Sequence, residues 1–189
     1  MTGYAVVQAA ADITRQIAEK GLPTGNGVLI ASATPSPRLE GKVRAAFGAH
    51  FVEVEVDTEL GDVRILKYTT VHDSGRIMNP LTATSQIQGS AVQGIGQALH
   101  ENLIYDARTG QPLSSGYYFD RVPTHQDAPD VEVTFIEPDD GYGPFGAKSI
   151  GEAGIILSPA AIANAIYNAI GRRMKDLPIT RDKIIGALA

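Results

Sequence analysis

Two alternating runs of residues, separated by a short turn, constrain this chain more than any other feature in it. Between His50 and Val56, Val52, Val54 and Val56 fall on one side, with Phe51, Glu53 and Glu55 on the other. Val63 to His72 is again rich in β-branched residues. A period of two sends successive side chains to opposite faces of a strand, and β-branched residues suit a pleated, half-buried surface. Thr58-Glu59-Leu60-Gly61-Asp62 carries turn chemistry, so the two runs read as an antiparallel hairpin.

Helical spacing appears on both sides of that hairpin. Ala5, Val6, Ala9, Ile13 and Ile17 predict a helix over 4–20, stopped by Gly21 and Pro23. Residues 22–41 are rich in Gly, Pro, Ser and Thr and read as a linker, which divides the chain into residues 1–44 and 45–189. After the irregular stretch HDSGRIMNP (72–80), the pattern predicts a helix from Gln86 to about Asn102. Ser85 with Gln88 fits a capping box at its start. Ile87, Ala91, Ile95 and Ala98 or Leu99 form its apolar stripe, and Gln86, Ser90, Gln93, Gln97 and His100 a polar one. Gly89, Gly94 and Gly96 each weaken a helix by about 1 kcal/mol relative to alanine. Three of them together imply that something packs very close to this helix, a ligand or another chain. A short strand (131–136), a glycine-rich loop (141–154), a helix opened by Pro159 and a last short helix from Arg181 complete the reading. Strands and helices mix without regular βαβ alternation, which predicts an α+β fold.

Composition narrows the functional classes. Of 189 residues, 43% are hydrophobic and 20% charged, which is globular rather than disordered. A net charge of -5 with no basic cluster argues against a nucleic-acid surface. With no cysteine, the chain holds no disulfide, thiolate zinc site or cysteine-ligated iron–sulfur cluster. Any electron-transfer centre it serves must lie elsewhere. The longest apolar stretches fall short of the roughly 20 residues of a membrane span, and the first 21 residues lack the pattern of a signal peptide. The expected location is cytoplasmic, or periplasmic if a partner's export signal carries the chain.

The loop 141–154, GYGPFGAKSIGEAG, holds the chemistry-bearing candidates. Gly141 and Gly146 with Lys148-Ser149 imitate a phosphate loop, but Ala147 interrupts the pattern. Glu152 lies between Gly151 and Ala153 in an apolar run, where desolvation would raise its pKa toward neutrality and suit a general base. From the residues alone, a surface-turn glutamate beside bend-forming glycines is the simpler account. Gln86 in the first turn of the expected helix would face a terminus whose unpaired N–H groups favour an anion or polar ligand. A solvated helix face is its plain alternative. His50, His72, His100 and His125 show no metal-ligand spacing, and Ser149 sits in no nucleophile elbow.

Taken in order, HDSGRIMNP (72–80), SQIQGSAVQGIGQALHE (85–101), GAKSIGEAG (146–154) and ANAIYNAIGRRMKDLPIT (163–180) resemble the xanthine dehydrogenase/aldehyde oxidase family of molybdenum hydroxylases. The resemblance covers about residues 45–189 and corresponds to the C-terminal portion of the molybdopterin-binding subunit. It implies that Glu152 is the catalytic base beside molybdenum. It implies further that Gln86 hydrogen-bonds the pterin, and that Lys148, Ser149, Ile150 and Gly151 form the wall beside it. Asn79 and Thr84 would approach the phosphate or nucleotide part of the cofactor, expected as molybdopterin cytosine dinucleotide. The implied reaction hydroxylates an aldehyde or N-heterocycle with oxygen from water. Iron–sulfur clusters and FAD would sit on partner chains, and the remainder of the molybdenum-binding subunit would be a further partner. The family's subunit is several times longer, so the chain is expected to be a truncated piece, a fragmented gene product or one part of a split subunit. An inactive fragment, or an assembly module docking through the glycine-marked helix, is the alternative.

Overall fold

A computed structural model describes residues 2–33, 45–138 and 143–189. The linker segment 34–44, with the expected boundary at residue 44, and Gly141 of the imitation phosphate loop lie outside the described residues. The element order is α1 (Thr2–Lys20), β1 (Phe47–Val56), β2 (Val63–Asp73), α2 (Pro80–Leu99), β3 (Val131–Ile136), α3 (Ala153–Ile156), α4 (Ser158–Ile170) and α5 (Arg181–Leu188). This is the α+β fold expected.

The predicted hairpin is present, with β1 and β2 antiparallel from Phe47↔Asp73 to Val56↔Val63. Alternation holds along β1, where Val52, Val54 and Val56 are half-buried and Phe51, Glu53 and Glu55 exposed. A bulge opposite Glu53/Val54 puts both Leu66 and Lys67 on the outer side and returns Tyr68 to the interior. The sheet order is β1-β2-β3, and β3 joins β2 in parallel, Tyr68↔Val131 to Asp73↔Ile136. Parallel strands need a long crossover, and α2 supplies it, so one βαβ unit sits inside a fold whose alternation is otherwise irregular.

α2 begins earlier than its periodicity predicts. Asn79 is the cap, its side chain accepting a hydrogen bond from the Thr82 N–H at 3.2 Å, and Pro80 opens the first turn. Proline lacks the N–H that would be unpaired there and has the φ the turn requires. Ser85 and Gln88 therefore lie inside the helix and form no capping box.

Tyr68, Ala91, Ile95, Ala98, Leu99, Val131, Ile162, Ile166, Ile179 and Ile184 make the core, with Val52, Val54, Val56, Val63 and Ile65 packed against it. Fully burying an isoleucine contributes about 1.5–3 kcal/mol, and Ile162 and Ile166 on α4 are both fully buried. α4 stops at Gly171, whose φ of 68° is the left-handed turn glycine tolerates. The tail is tied back where the Ile179 N–H donates to the Ala98 carbonyl at 2.6 Å. Ala153–Ile170 is, by length and composition, apolar enough to cross a bilayer, more so than the sequence reading allowed. It is nevertheless two helices, and Gly154, Ser158, Ile162 and Ile166 are buried at four-residue intervals, as in a core element.

Candidate functional site

The inner face of the sheet changes character along its length. At the hairpin end it is apolar; toward the other end it carries His50, Tyr68, Thr70 and His72. His50 Nδ1 is 2.9 Å from the Tyr68 hydroxyl and 3.4 Å from Ser158 Oγ, and His50 Nε2 is 3.0 Å from His72 Nε2. Burial, with the neighbouring His72 adding to it, lowers the His50 pKa to about 4. Burial alone lowers that of His72, and burial raises Tyr68 to about 12. These side chains are held neutral, as a low-dielectric interior requires. Sequence reasoning missed this cluster, because no local spacing links positions 50, 68, 72 and 158.

Beyond the carboxyl end of β2 the chain opens into a cleft of about 350 Å³. Open sheets with helical crossovers commonly bind ligands in this place. Its wall combines the turn after β2 (Ser74, Arg76, Ile77, Met78), the first two turns of α2 (Asn79, Thr82, Ala83, Gln86) and the loop before α3 (Ala147, Lys148, Ile150). Ser74 Oγ is buried without a hydrogen-bond partner among the described residues, a position that calls for a polar ligand or water.

Four of the expected site residues, Asn79, Gln86, Lys148 and Ile150, line this cleft. Gln86 is exposed, and its side-chain amide points to the Gly151 carbonyl at 3.5 Å. It stands in the second turn of α2 rather than the first, so unpaired N–H groups at the helix end lend it nothing. Thr84 is half-buried on α2, while Ser149 and Gly151 are exposed; none of these three borders the cleft. Lys148 is oriented inward, with Nζ 2.9 Å from an Asp73 oxygen. Glu152 is exposed directly before α3 and lies outside the cleft wall. Its exposure agrees with the surface-turn account, since Ile155 and Ile156 follow it without covering it. Ser74 and Arg76 were missed, although both lie within the HDSGRIMNP segment.

The close approach implied by the α2 glycines is made by the chain itself. A Cβ at Gly94 would collide with Ser158, and one at Gly96 with Glu101 and Pro123, whereas Gly89 faces open space. From the other side, Gly154 meets Ser90. Positions 86, 90 and 94 of α2 thus run along 151, 154 and 158, holding the loop of Glu152 beside the helix of Gln86.

The profile of the molybdopterin cofactor-binding domain family matches residues 26–129. The chain is 43% identical over 146 residues to the aldehyde oxidoreductase molybdenum-binding subunit PaoC of Escherichia coli strain K12, covering 77% of this chain and 20% of that protein. To the putative xanthine dehydrogenase molybdenum-binding subunit XdhA of the same strain it is 40% identical over 139 residues, covering 74% and 18%. Among solved structures, quinoline 2-oxidoreductase from Pseudomonas putida 86 superposes with a TM-score of 0.77 at 30% identity, covering 94% of this chain and 23% of that one. The aldehyde oxidoreductase of Desulfovibrio desulfuricans ATCC 27774 gives a TM-score of 0.69 at 34% identity, covering 76% and 16%. The chain spans about a fifth of the length of these curated relatives.

Proposed function

The chain belongs to the molybdopterin cofactor-binding domain family, and from that premise we propose that it completes the cofactor site of a molybdenum hydroxylase with Glu152 as the base. The observation that carries this reading is the cleft itself, where Asn79 and Gln86 from the start of α2 meet Lys148 and Ile150 from the loop before α3 on one wall. The donor set fits a pterin nucleotide: a buried Ser74 hydroxyl with no hydrogen-bond partner among the described residues, the cation of Arg76, and the side-chain amides of Asn79 and Gln86.

Gln86 would bond the pterin, and the backbone from Lys148 to Gly151 would wall it. Asn79 and Thr84 would face the phosphate or nucleotide part of a cytosine dinucleotide form. When bound, the molybdenum group accepts the two electrons of the oxidation. Glu152 takes up a proton from water as its oxygen is transferred to an electron-poor carbon of an aldehyde or N-heterocycle. The carbon exchanges its hydrogen for a hydroxyl, and two electrons and two protons leave. Iron–sulfur clusters and FAD on partner chains would receive the electrons; this chain has no cysteine to hold a cluster. Glu152 acquires its low-dielectric surroundings only when the remainder of the cofactor subunit covers it.

The test is Glu152→Gln in the assembled, cofactor-loaded complex. Loss of a positioned base should lower turnover by about 10²–10⁴-fold with molybdenum content unchanged. Turnover equal to the parent would remove Glu152 from the role. Gln86→Ala should instead lower cofactor retention.

A further inference from the structure

The loop that leads to Glu152 is fastened to the sheet by a buried ion pair. Lys148 Nζ lies 3.0 and 2.9 Å from the two carboxylate oxygens of Asp73, the last residue of β2. The two side chains are only 4% and 5% exposed. Backbone bonds reinforce the junction: the Gly75 N–H donates to Asp73 Oδ1 at 3.1 Å, Lys148 N–H to the Ser74 carbonyl at 2.9 Å, and Arg76 N–H to the Gly146 carbonyl at 2.9 Å. Gly75 and Ala147 form an isolated antiparallel bridge there.

Stability alone does not explain such a pair. Desolvating two charges offsets most of their attraction, and an uncharged pair of similar volume often serves the fold equally well. What a charge-assisted, doubly bonded contact adds is direction, which fixes the register of one segment on another. Glu152 stands between this anchor and the packing of Gly154 on Ser90. Between them a long Gln86–Gly151 hydrogen bond of 3.5 Å also connects the loop to α2. We infer that Asp73 and Lys148 are positioning residues that set where the cleft wall and Glu152 stand relative to α2. This rests on the assignment of Glu152 above.

The absence of cysteine allows the loop position to be read directly in the full chain. Nitroxide labels at Ser149→Cys and Gln93→Cys, both exposed, report the distance between loop and helix by pulsed electron spin resonance. In this background, Lys148→Met strands a buried carboxylate and should lower the melting temperature and broaden the distance distribution. Asp73→Asn with Lys148→Met removes both charges while keeping an acceptor for the Gly75 N–H. That pair of changes should recover most of the melting temperature yet leave the distribution about two-fold broader than the parent's or more. A distribution as narrow as the parent's in the double variant would overturn the inference, and that variant keeps the test valid if Lys148→Met fails to fold. The readout needs neither cofactor nor turnover, so it fails independently of the Glu152→Gln experiment.

Discussion

A methyl group added at Gly154 would stand 2.7 Å from the Ser90 Cβ and 3.2 Å from Ile87 Cδ1. Ser90 Cβ is attached to the α2 backbone and cannot swing aside, so the helices must separate. Forcing extra volume into a packed contact costs about 1–3 kcal/mol. Gly154→Ala should therefore lower the stability of the chain by that amount in denaturant unfolding. A midpoint equal to the parent's would show that α3 yields freely.

The opposite sign is expected at Gly89, the residue before Ser90 on α2. Gly89 is exposed, nothing lies within 4 Å of its added Cβ, and its φ is not positive. Alanine there relieves the conformational entropy that glycine loses in a helix interior. Gly89→Ala should raise stability by about 0.5–1 kcal/mol. A decrease in the unfolding midpoint would mean that this face is covered by something in the folded chain.

These two glycines also show what could be read from the sequence and what could not. The spacing of Gly89, Gly94 and Gly96 announced a close approach, and the alternation of Val52, Val54 and Val56 announced the inner sheet face correctly. Which glycine faced which neighbour was hidden, because Ser158 lies 64 positions from Gly94. The Asp73–Lys148 contact is equally distant, joining positions 75 apart. Lys148 therefore read only as a wall residue. Glu152 read as either a surface-turn glutamate, the simpler account, or a base desolvated by its apolar run; burial is a property of the packed surface, and among the described residues Glu152 is exposed.

Acid should weaken the fold through the histidine cluster. Only one of the facing Nε2 atoms of His50 and His72, 3.0 Å apart, can carry a proton while the other accepts. Tyr68 and Ser158 face His50 from β2 and α4 and provide no negative charge. The folded pKa of His50, about 4, lies below its usual 6.5, and that of His72 is also lowered. Between those values the unfolded chain binds more protons, so stability rises with pH there. The contribution is fully present above about pH 6.5 and is lost as pH falls through about 4. Thermal melts at steps across this range should show the decline, and His50→Gln should flatten it. A slope unchanged by that substitution would place the responsible groups elsewhere.

The start of α2 offers a test in which the structure and the sequence pattern disagree. Ser85 and Gln88 have the spacing of a capping box, yet the helix has already run five residues by Ser85. Asn79 holds the cap through the Thr82 N–H, while Thr82 Oγ1 donates back to the Asn79 carbonyl at 3.3 Å. Removing an asparagine cap costs about 0.5–2 kcal/mol. Asn79→Ala should lower stability by that amount, and Ser85→Ala, at an exposed interior position, should leave it unchanged or slightly raised. Because Asn79 also borders the cleft, its loss should loosen the first turn of α2 and speed amide exchange at Thr82. Equal destabilisation by both substitutions, or a larger effect at Ser85, would return the helix start to where the spacing first put it.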